Sequence, residues 1–227
     1  MALLIQRLQI IIFLIFSFSM SNAQNPVKVK FIGNCGLHLT DGLTNIYVDF
    51  PYVSGAYGYM KYNPLQIDSI KNNAIFLFTH KHKDHYSKTI VKSILKNKNG
   101  KSFTQWKSRK LVKYFESVTN IQIEVFKTKH RFSFRHKSYL ITWNGKRIYL
   151  SGDTEDSKTI GSIQNIDWAF LPPWILDDAK EKNIKVDANK IGVYHLYPSE
   201  IESAIEEWGQ TKTIIPLIKQ GDIIRIQ

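Results

Sequence analysis

The stretch "NAIFLFTHKHKDHY", residues 73–86, constrains the fold more than any other part of the chain. An apolar run of strand length, residues 74–78, leads directly into three histidines and one aspartate within residues 80–85. The whole chain of 227 residues has only seven histidines. A buried strand that ends in polar side chains presents them at the edge of a sheet, where sites tend to form. The stretch therefore predicts a sheet with a polar site at one edge.

The spacing H-x-H-x-D-H suits metal binding. In an extended segment residues i and i+2 share a face, so His80 and His82 can converge on one cation. Asp84 and His85 follow a turn of the chain and point to a neighbouring position. Neutral imidazole suits zinc and related divalent ions, and a carboxylate adds a hard ligand. Four ligands from one loop are too cramped for one tetrahedral ion, so this interpretation requires two adjacent ions and further ligands; the alternative is a solvated polar loop.

Three later residues are candidates for the missing ligands. His130, Asp153 and His195 each lie at or just beyond an apolar, strand-like run. Each alone is weak evidence, because a lone histidine is more often a surface or core residue and "SGDT" is a natural turn composition. Their order along the chain, after the histidine cluster, favours the metal hypothesis.

The remaining pattern predicts a mixed α/β layered fold without internal repeats. A helix is expected around residues 86–98, and another near Ser199, where Glu202 would complete a capping box. Asn144-Gly145 predicts a hairpin turn, and Asp41-Gly42 predicts a turn between the first two β-like runs. The β-like runs are residues 27–40, 44–50, 73–80, 121–128, 138–143, 146–153 and 167–173, with short segments closing the chain.

Several of these segments resemble one known superfamily. "FTHKHKDHY" resembles the signature of the metallo-β-lactamase-fold hydrolases, "RIYLSGDT" their later strand with a metal-bridging aspartate, and "VKFIGNCGLHLTDGLTNIYVDFPY" their opening strands. "IDWAFLPPW" is similar to the branch that contains the ascorbate-phosphate lactonase-like and N-acylphosphatidylethanolamine phospholipase D-like proteins. The resemblance covers residues 27–226. It implies a four-layer αββα sandwich of the metallo-β-lactamase type, an α/β fold, as a single domain over residues 24–227.

The resemblance also implies a ligand set. One zinc site would use His80, His82 and His130, and a second would use Asp84, His85 and His195, with Asp153 bridging the two. His136 is the alternative to His130 as third ligand. Asp49 is either a carboxylate that orients a ligand histidine or a strand-end residue bonded to backbone, and His38 is expected to be no ligand.

By the same resemblance the chain is expected to be a dinuclear metal-dependent hydrolase, and its N-terminus, described below, predicts that it is exported. A metal-activated water would attack an ester, lactone or phosphodiester, and Asp84 would hold that water and accept its proton. The expected cofactors are two divalent ions, zinc first, with iron or manganese as alternatives. The expected partner is a small-molecule substrate. Tyr52, Tyr57, Tyr59 and Tyr62 would either form a flap over it or pack against the domain.

Two other functions remain open. A net charge of +12 allows a nuclease or phosphodiesterase that acts on nucleic acid, although the lysines are scattered and the expected export disfavours nucleic acid as a partner. A non-catalytic metal-binding envelope protein is also physically reasonable. The presence of Asp84 and Asp153 argues against it, because a closed structural zinc site would need neither a bridging nor a proton-accepting carboxylate.

The N-terminus predicts a secretory signal peptide over residues 1–23. It has one basic residue, Arg7, an apolar run over residues 8–20 and a small-residue stretch that ends at Ala23. The run is short for a bilayer span, which takes about 20 residues. A periplasmic or secreted protein without a stable membrane span after cleavage is expected, and a retained anchor is the alternative. The single cysteine, Cys35, excludes an internal disulfide and is expected to be a buried small apolar residue.

Overall fold

Strands dominate the computed structural model, which describes residues 25–226. Twelve strands lie within those residues: β1 (Val27–Gly33), β2 (Gly36–Thr40), β3 (Asn45–Val48), β4 (Ile75–Leu77), β5 (Lys101–Phe103), β6 (Ile121–Lys127), β7 (Lys137–Trp143), β8 (Lys146–Leu150), β9 (Ile166–Leu171), β10 (Ala188–Val193), β11 (Ile214–Pro216) and β12 (Ile223–Ile226). The α-helices there are α1 (Leu65–Asp68), α2 (Lys88–Lys98), α3 (Ser108–Phe115), α4 (Lys158–Gly161), α5 (Pro173–Glu181) and α6 (Ile201–Trp208). Short 3₁₀ turns lie at Ala56–Gly58, Gln105–Lys107 and Pro198–Glu200.

The strands form two six-stranded sheets. The first has the order β12-β1-β2-β3-β4-β5, and the second has the order β11-β10-β9-β8-β7-β6. β3, β4 and β5 run parallel, as do β8, β9, β10 and β11, whereas the hairpin strands pair antiparallel. The hairpin predicted at Asn144-Gly145 joins β7 to β8, and both turn residues have positive φ.

Three apolar clusters define four layers. The largest lies between the sheets and includes Phe31, Leu77, Ile141 and Phe170. A second covers the outer face of the second sheet, where α4, α5 and α6 contribute Ile160, Ile175 and Trp208, among others. The third covers the outer face of the first sheet, where α2 contributes Val91 and Ile94. The predicted αββα sandwich is therefore confirmed.

The chain direction brings several strand ends to one edge of the sandwich. β3 and β4 are parallel in the first sheet, and β8 and β10 are parallel through β9 in the second. β6 has the same direction as β8, since each is antiparallel to β7. The carboxyl ends of such strands open onto a common crevice, which is where ligands bind in α/β folds. All the candidate ligands follow these strands.

Two local predictions were wrong. Residues 27–40 form a hairpin, β1 and β2, and not one continuous run, because Asn34-Cys35 makes the turn and Asn34 has a left-handed φ of 51°. Near Ser199, the chain first makes a 3₁₀ turn, and the carboxylate of Glu200, not of Glu202, accepts the backbone N–H of Tyr197.

The predicted signal peptide, residues 1–23, lies outside the described residues. Among residues 25–226, no helix is long and apolar enough to cross a membrane.

Candidate metal centre

The side chains predicted as ligands converge in two groups at the shared edge of the sheets. In each group, the potential ligand atoms lie within 4.8 Å of one another. One group is His80, His82 and His130, and the other is Asp84, His85, Asp153 and His195. These are the two sets that the sequence resemblance implies, brought together from segments up to 115 residues apart.

Strand ends and the loops after them position these residues. His80 to His85 follow β4, His130 follows β6, Asp153 follows β8 and His195 follows β10. The short loop after β4 turns back on itself, since the N–H groups of His85 and Tyr86 both donate to the carbonyl of His82. His195 has a left-handed φ of 61°, and its N–H donates to the carbonyl of Asn34. A non-glycine residue in that conformation is uncommon outside turns and functional sites.

Asp153 lies between the two groups. Its Oδ2 atom is 2.9 Å from His85 Nε2 and 3.1 Å from His195 Nε2 in one group. The same oxygen is 3.9 Å from His80 Nε2 and 3.9 Å from His130 Nε2 in the other. One carboxylate thus contacts both clusters of imidazoles, which is the placement that a bridging ligand requires.

In four of the five candidate ligand histidines, the outer ring nitrogen, which points away from the group of ligand atoms, forms a hydrogen bond that orients the ring. His80 Nδ1 lies 3.0 Å from Thr79 Oγ1, and His85 Nδ1 lies 3.0 Å from Asp49 Oδ2. Each outer nitrogen faces an oxygen that can accept, so it donates a hydrogen bond and directs the inner nitrogen into the site. The other two pairs are His82 Nε2 with the carbonyl of Phe132 at 3.4 Å and His130 Nδ1 with Glu155 Oε1 at 3.1 Å.

Asp49 connects both groups through Thr79. Its two oxygens accept the N–H and the hydroxyl of Thr79, each at 2.8 Å, while Oδ2 also accepts from His85. Thr79 in turn accepts from His80, so a single buried carboxylate orients one histidine of each group. Of the two roles weighed for Asp49, the structure shows the contact with a candidate ligand histidine, together with a backbone bond.

His136, the alternative third ligand, contacts the backbone of Asp153 instead. Its Nε2 accepts the N–H of Asp153 at 3.0 Å, and its Nδ1 therefore carries the proton and donates to Thr128 Oγ1 at 2.7 Å. Burial lowers the pKa of His136 to about 3, which keeps the ring neutral. His136 thus fixes the backbone of Asp153, whereas His130 lies in the group with His80 and His82. His38 lies outside both groups, stacked on Tyr47 and bonded to Asn45.

The Asn34-Cys35 turn contacts and supports the site. The sequence did not indicate this role of the turn. The side-chain amide of Asn34 donates to the carbonyl of Asp84 at 3.1 Å, while its own carbonyl holds His195. Cys35 Sγ lies 3.2 Å from His85 Nδ1 and is fully buried, as expected. Burial raises the pKa of the Cys35 thiol well above its usual value, against the opposing effect of His85, so the thiol is neutral. The only signal for this turn was a glycine on each side of it.

The electrostatics of the second group favour an ionised aspartate pair. Burial alone would raise the pKa of Asp153, but His195 and His85 outweigh burial and hold that pKa well below its usual value. Burial would lower the pKa of His195, but Asp153 and Asp84 outweigh it and raise that pKa to about 9. The two neighbouring carboxylates therefore stabilise protons on the imidazole nitrogens. A cation that binds the same nitrogens displaces those protons.

The buried polar atoms of the site fit divalent cations. His80 Nε2, Asp84 Oδ1 and Asp153 Oδ1 are buried without a hydrogen-bond partner. Pairs of ring nitrogens also face each other, with His85 Nε2 3.1 Å from His195 Nε2 and His130 Nε2 3.2 Å from His82 Nδ1. Such spacings approach the separation of about 3.3 Å that two nitrogens have on one tetrahedral zinc ion with bonds of about 2.0 Å. The donor set, imidazole and carboxylate, suits zinc, iron or manganese.

A cavity of about 870 Å³ opens onto the two groups. Aromatic side chains line it, including Tyr57, Tyr59, Trp174 and Tyr197, together with Asp84, Asp153 and His82. Tyr59 packs edge-on against His195, with ring centroids 4.2 Å apart, and stacks on Tyr197. Tyr52 and Tyr62 are instead buried against Phe50 in the core, so only two of the four tyrosines of this loop line the cavity.

Solved structures share this architecture. A metallo-hydrolase of Ignicoccus hospitalis matches with a TM-score of 0.64 and 16% identity, covering 89% of this chain and 99% of that one. A candidate metal-dependent hydrolase of Parabacteroides distasonis matches at 0.61 and 22%, covering 86% and 94%. The isothiocyanate hydrolase from Delia radicum gut bacteria matches at 0.58 and 14%, covering 87% and 98%. No protein-family model and no curated protein sequence matches the chain. The described part of the chain thus has the metallo-β-lactamase fold of these metallo-hydrolases.

Proposed function

We propose that this protein is a metal-dependent hydrolase with two adjacent divalent cations at the site. The observation that carries the proposal is the position of Asp153, within 3.9 Å of four imidazole nitrogens that belong to two separate groups. One cation would be held by His80, His82 and His130, the other by Asp84, His85 and His195, with Asp153 shared. Fold similarity to metallo-hydrolases supports the same reaction class.

Such cations would act as Lewis acids and lower the pKa of a nearby water, so that it could lose a proton and attack an electrophilic carbon or phosphorus as hydroxide. Asp84 handles the proton in this mechanism. Its Oδ2 lies 3.2 Å from His195 Nε2, whereas its Oδ1 has no partner and the residue lines the cavity. His195 and His85 outweigh burial and lower the pKa of Asp84, so the carboxylate is ionised and can accept a proton at Oδ1.

The cavity favours a small ester or lactone over a nucleic acid. Its walls carry five aromatic side chains, which suit an apolar substrate body. Its rim carries Glu155, Asp177, Asp178 and Glu181 against one basic residue, Arg131. Because these carboxylates repel a phosphate backbone, the acidic rim disfavours the nuclease alternative despite the net charge of +12. Export through residues 1–23 belongs to the same proposal and rests on the sequence alone.

Chelation tests the proposal. We expect purified protein to hydrolyse at least one member of a panel of aryl esters, lactones and bis-aryl phosphodiesters. Turnover should fall by at least about 10³-fold after removal of metal, since cations of this kind supply several kcal/mol of transition-state stabilisation. Zinc, iron or manganese added back separately should restore it and identify the competent ion. The measurement is the initial rate before chelation, after chelation and after each addition.

Two results would contradict the proposal. Turnover that persists in protein with no bound metal would exclude the mechanism. Metal binding with no turnover on any substrate class would favour the non-catalytic metal-binding protein. Salt separates the nuclease alternative, because nucleic-acid affinity falls steeply with ionic strength and turnover of a neutral ester does not.

A further inference from the structure

Three large aromatic side chains are exposed on one face beside the cavity. Phe132 and Phe134 are 83% and 85% exposed, and Trp106 is 52% exposed. Cationic side chains join them, because the Arg135 guanidinium lies 4.5 Å from the Trp106 ring centroid and Arg131 lies 5.0 Å from that of Phe132. Single exposed apolar residues are ordinary, but a cluster of this kind marks an interaction surface. We call Trp106, Arg131, Phe132, Phe134 and Arg135 the aromatic–basic face.

The loop that carries this face is held in an unfavourable conformation. Phe132 and Arg135 have left-handed φ values of 58° and 64°, which are costly for bulky side chains. Hydrogen bonds retain the loop, since the N–H of Ser133 donates to the carbonyl of His130 and the N–H of Arg131 donates to Glu155. Exposed phenyl rings contribute nothing to the folded core. The presence of these exposed rings at the tip of a strained loop is therefore consistent with a role in binding an external partner.

The surface beside these aromatic residues is strongly basic. A concavity of about 520 Å³ adjoins Trp106 and has no acidic residue in its lining. Its cationic members are Lys107, Arg109, Lys110, Arg135 and Lys137. Among residues 25–226, the lysines and arginines within 4 Å of a carboxylate are Lys146 and Lys182, so no carboxylate neutralises any of these five cations.

We propose that the aromatic–basic face docks the protein on an anionic lipid surface. Aromatic side chains favour the boundary between lipid headgroups and acyl chains, and adjacent lysines and arginines are attracted to anionic headgroups. A single-stranded nucleic acid would instead need a basic groove that follows its backbone past stacking rings. Neither Phe132 nor Phe134 lines the basic concavity, and both protrude into solvent, an arrangement that suits insertion into a lipid interface better than stacking along a strand. Phe132 also lines the cavity, so the aromatic–basic face adjoins it.

Vesicle co-sedimentation tests the proposal. The probes are phosphatidylcholine vesicles and the same vesicles with about one-third phosphatidylglycerol, an anionic lipid whose attraction for basic residues is screened by salt. The wild-type chain should bind the anionic vesicles, and added salt should weaken that binding. Phe134→Ser should weaken it roughly tenfold, because one phenyl side chain is withdrawn from an apolar environment. All variants carry the same N-terminus, so a loss of binding that occurs only in Phe134→Ser is due to the aromatic–basic face.

Leu43→Ser is the matched control. Leu43 is 84% exposed, but it lies in the turn between β2 and β3. It should leave vesicle binding unchanged, and both variants should retain the wild-type melting temperature and rate on a soluble ester. Equal binding by Phe134→Ser and wild type, equal losses in both variants, or indifference to anionic lipid would overturn the proposal. Tighter binding to a single-stranded oligonucleotide than to anionic vesicles, weakened by Phe134→Ser, would overturn it in favour of nucleic acid.

Discussion

Replacement of Asp153 by asparagine is expected to lower hydrolysis by on the order of 10³-fold or more. The Asp153 Oδ2 atom contacts imidazoles of both groups, and asparagine removes its charge and one of its two acceptor oxygens. A neutral amide cannot offset the electrostatic repulsion between two divalent cations held close together. We expect metal content to fall to one cation or fewer per chain, and each loss of about 1.4 kcal/mol in transition-state stabilisation lowers the rate tenfold. Initial rates and metal content of the same preparation are the measurements.

The control for this substitution is Asp222→Asn, which makes the same chemical change at an exposed position whose backbone carbonyl receives the N–H of Phe31. It should keep wild-type rate and metal content. Activity within about tenfold of wild type in Asp153→Asn, with two cations still bound, would show that Asp153 does not bridge.

Asp49→Asn is expected to weaken the binding of both cations, although Asp49 is a ligand of neither. Asparagine presents an amide N–H₂ where Asp49 Oδ2 now accepts from Thr79 and His85. His85 then loses the partner that fixes its tautomer, and the Thr79 hydroxyl that receives His80 loses its acceptor. Changes of this kind typically cost 10–100-fold in metal affinity. Competition with a chromophoric chelator measures that affinity, and excess metal should restore most of the activity.

Asp41 provides a buried control for Asp49. It is also a buried carboxylate, and it accepts from the N–H groups of Leu43 and Thr44 and from the indole of Trp143. Asp41→Asn should lower the free energy of unfolding by about 1–3 kcal/mol through lost charge-assisted hydrogen bonds, as Asp49→Asn should, but leave metal affinity unchanged. Equal metal affinity in the two variants would contradict the orienting role of Asp49.

The local sequence singled out the histidine loop, because its spacing places several donors in one short segment after a buried strand. His80 and His85 were therefore candidate ligands from residues 73–86 alone, and the structure places both at the sheet edge. His130 and His195 carried little local signal, and it was the family resemblance that assigned them. The structure brings them to the same edge only because β6 and β10 run in the directions that the sheet pairing sets.

The supporting residues could not be predicted, since their roles depend on tertiary contacts. His136 acts through the backbone of Asp153, 17 residues away, and Asn34 acts through the carbonyl of Asp84, 50 residues away. Asn34 was hidden further because residues 27–40 formed a continuous β-like pattern that concealed the turn. The tyrosine loop shows the same limit: Tyr52 and Tyr59 have similar surroundings in sequence, but one packs against Phe50 and the other against His195.

Elemental analysis of the purified protein, with His130→Ala and His195→Ala beside it, tests the central claim most directly. His130 belongs to one group of ligand atoms and His195 to the other. We expect two equivalents of a divalent transition metal per wild-type chain, and about one in each variant as a single imidazole ligand is lost from one cation. Wild-type protein that binds no metal after saturation and desalting, or only one equivalent that both substitutions abolish, would contradict the paired site.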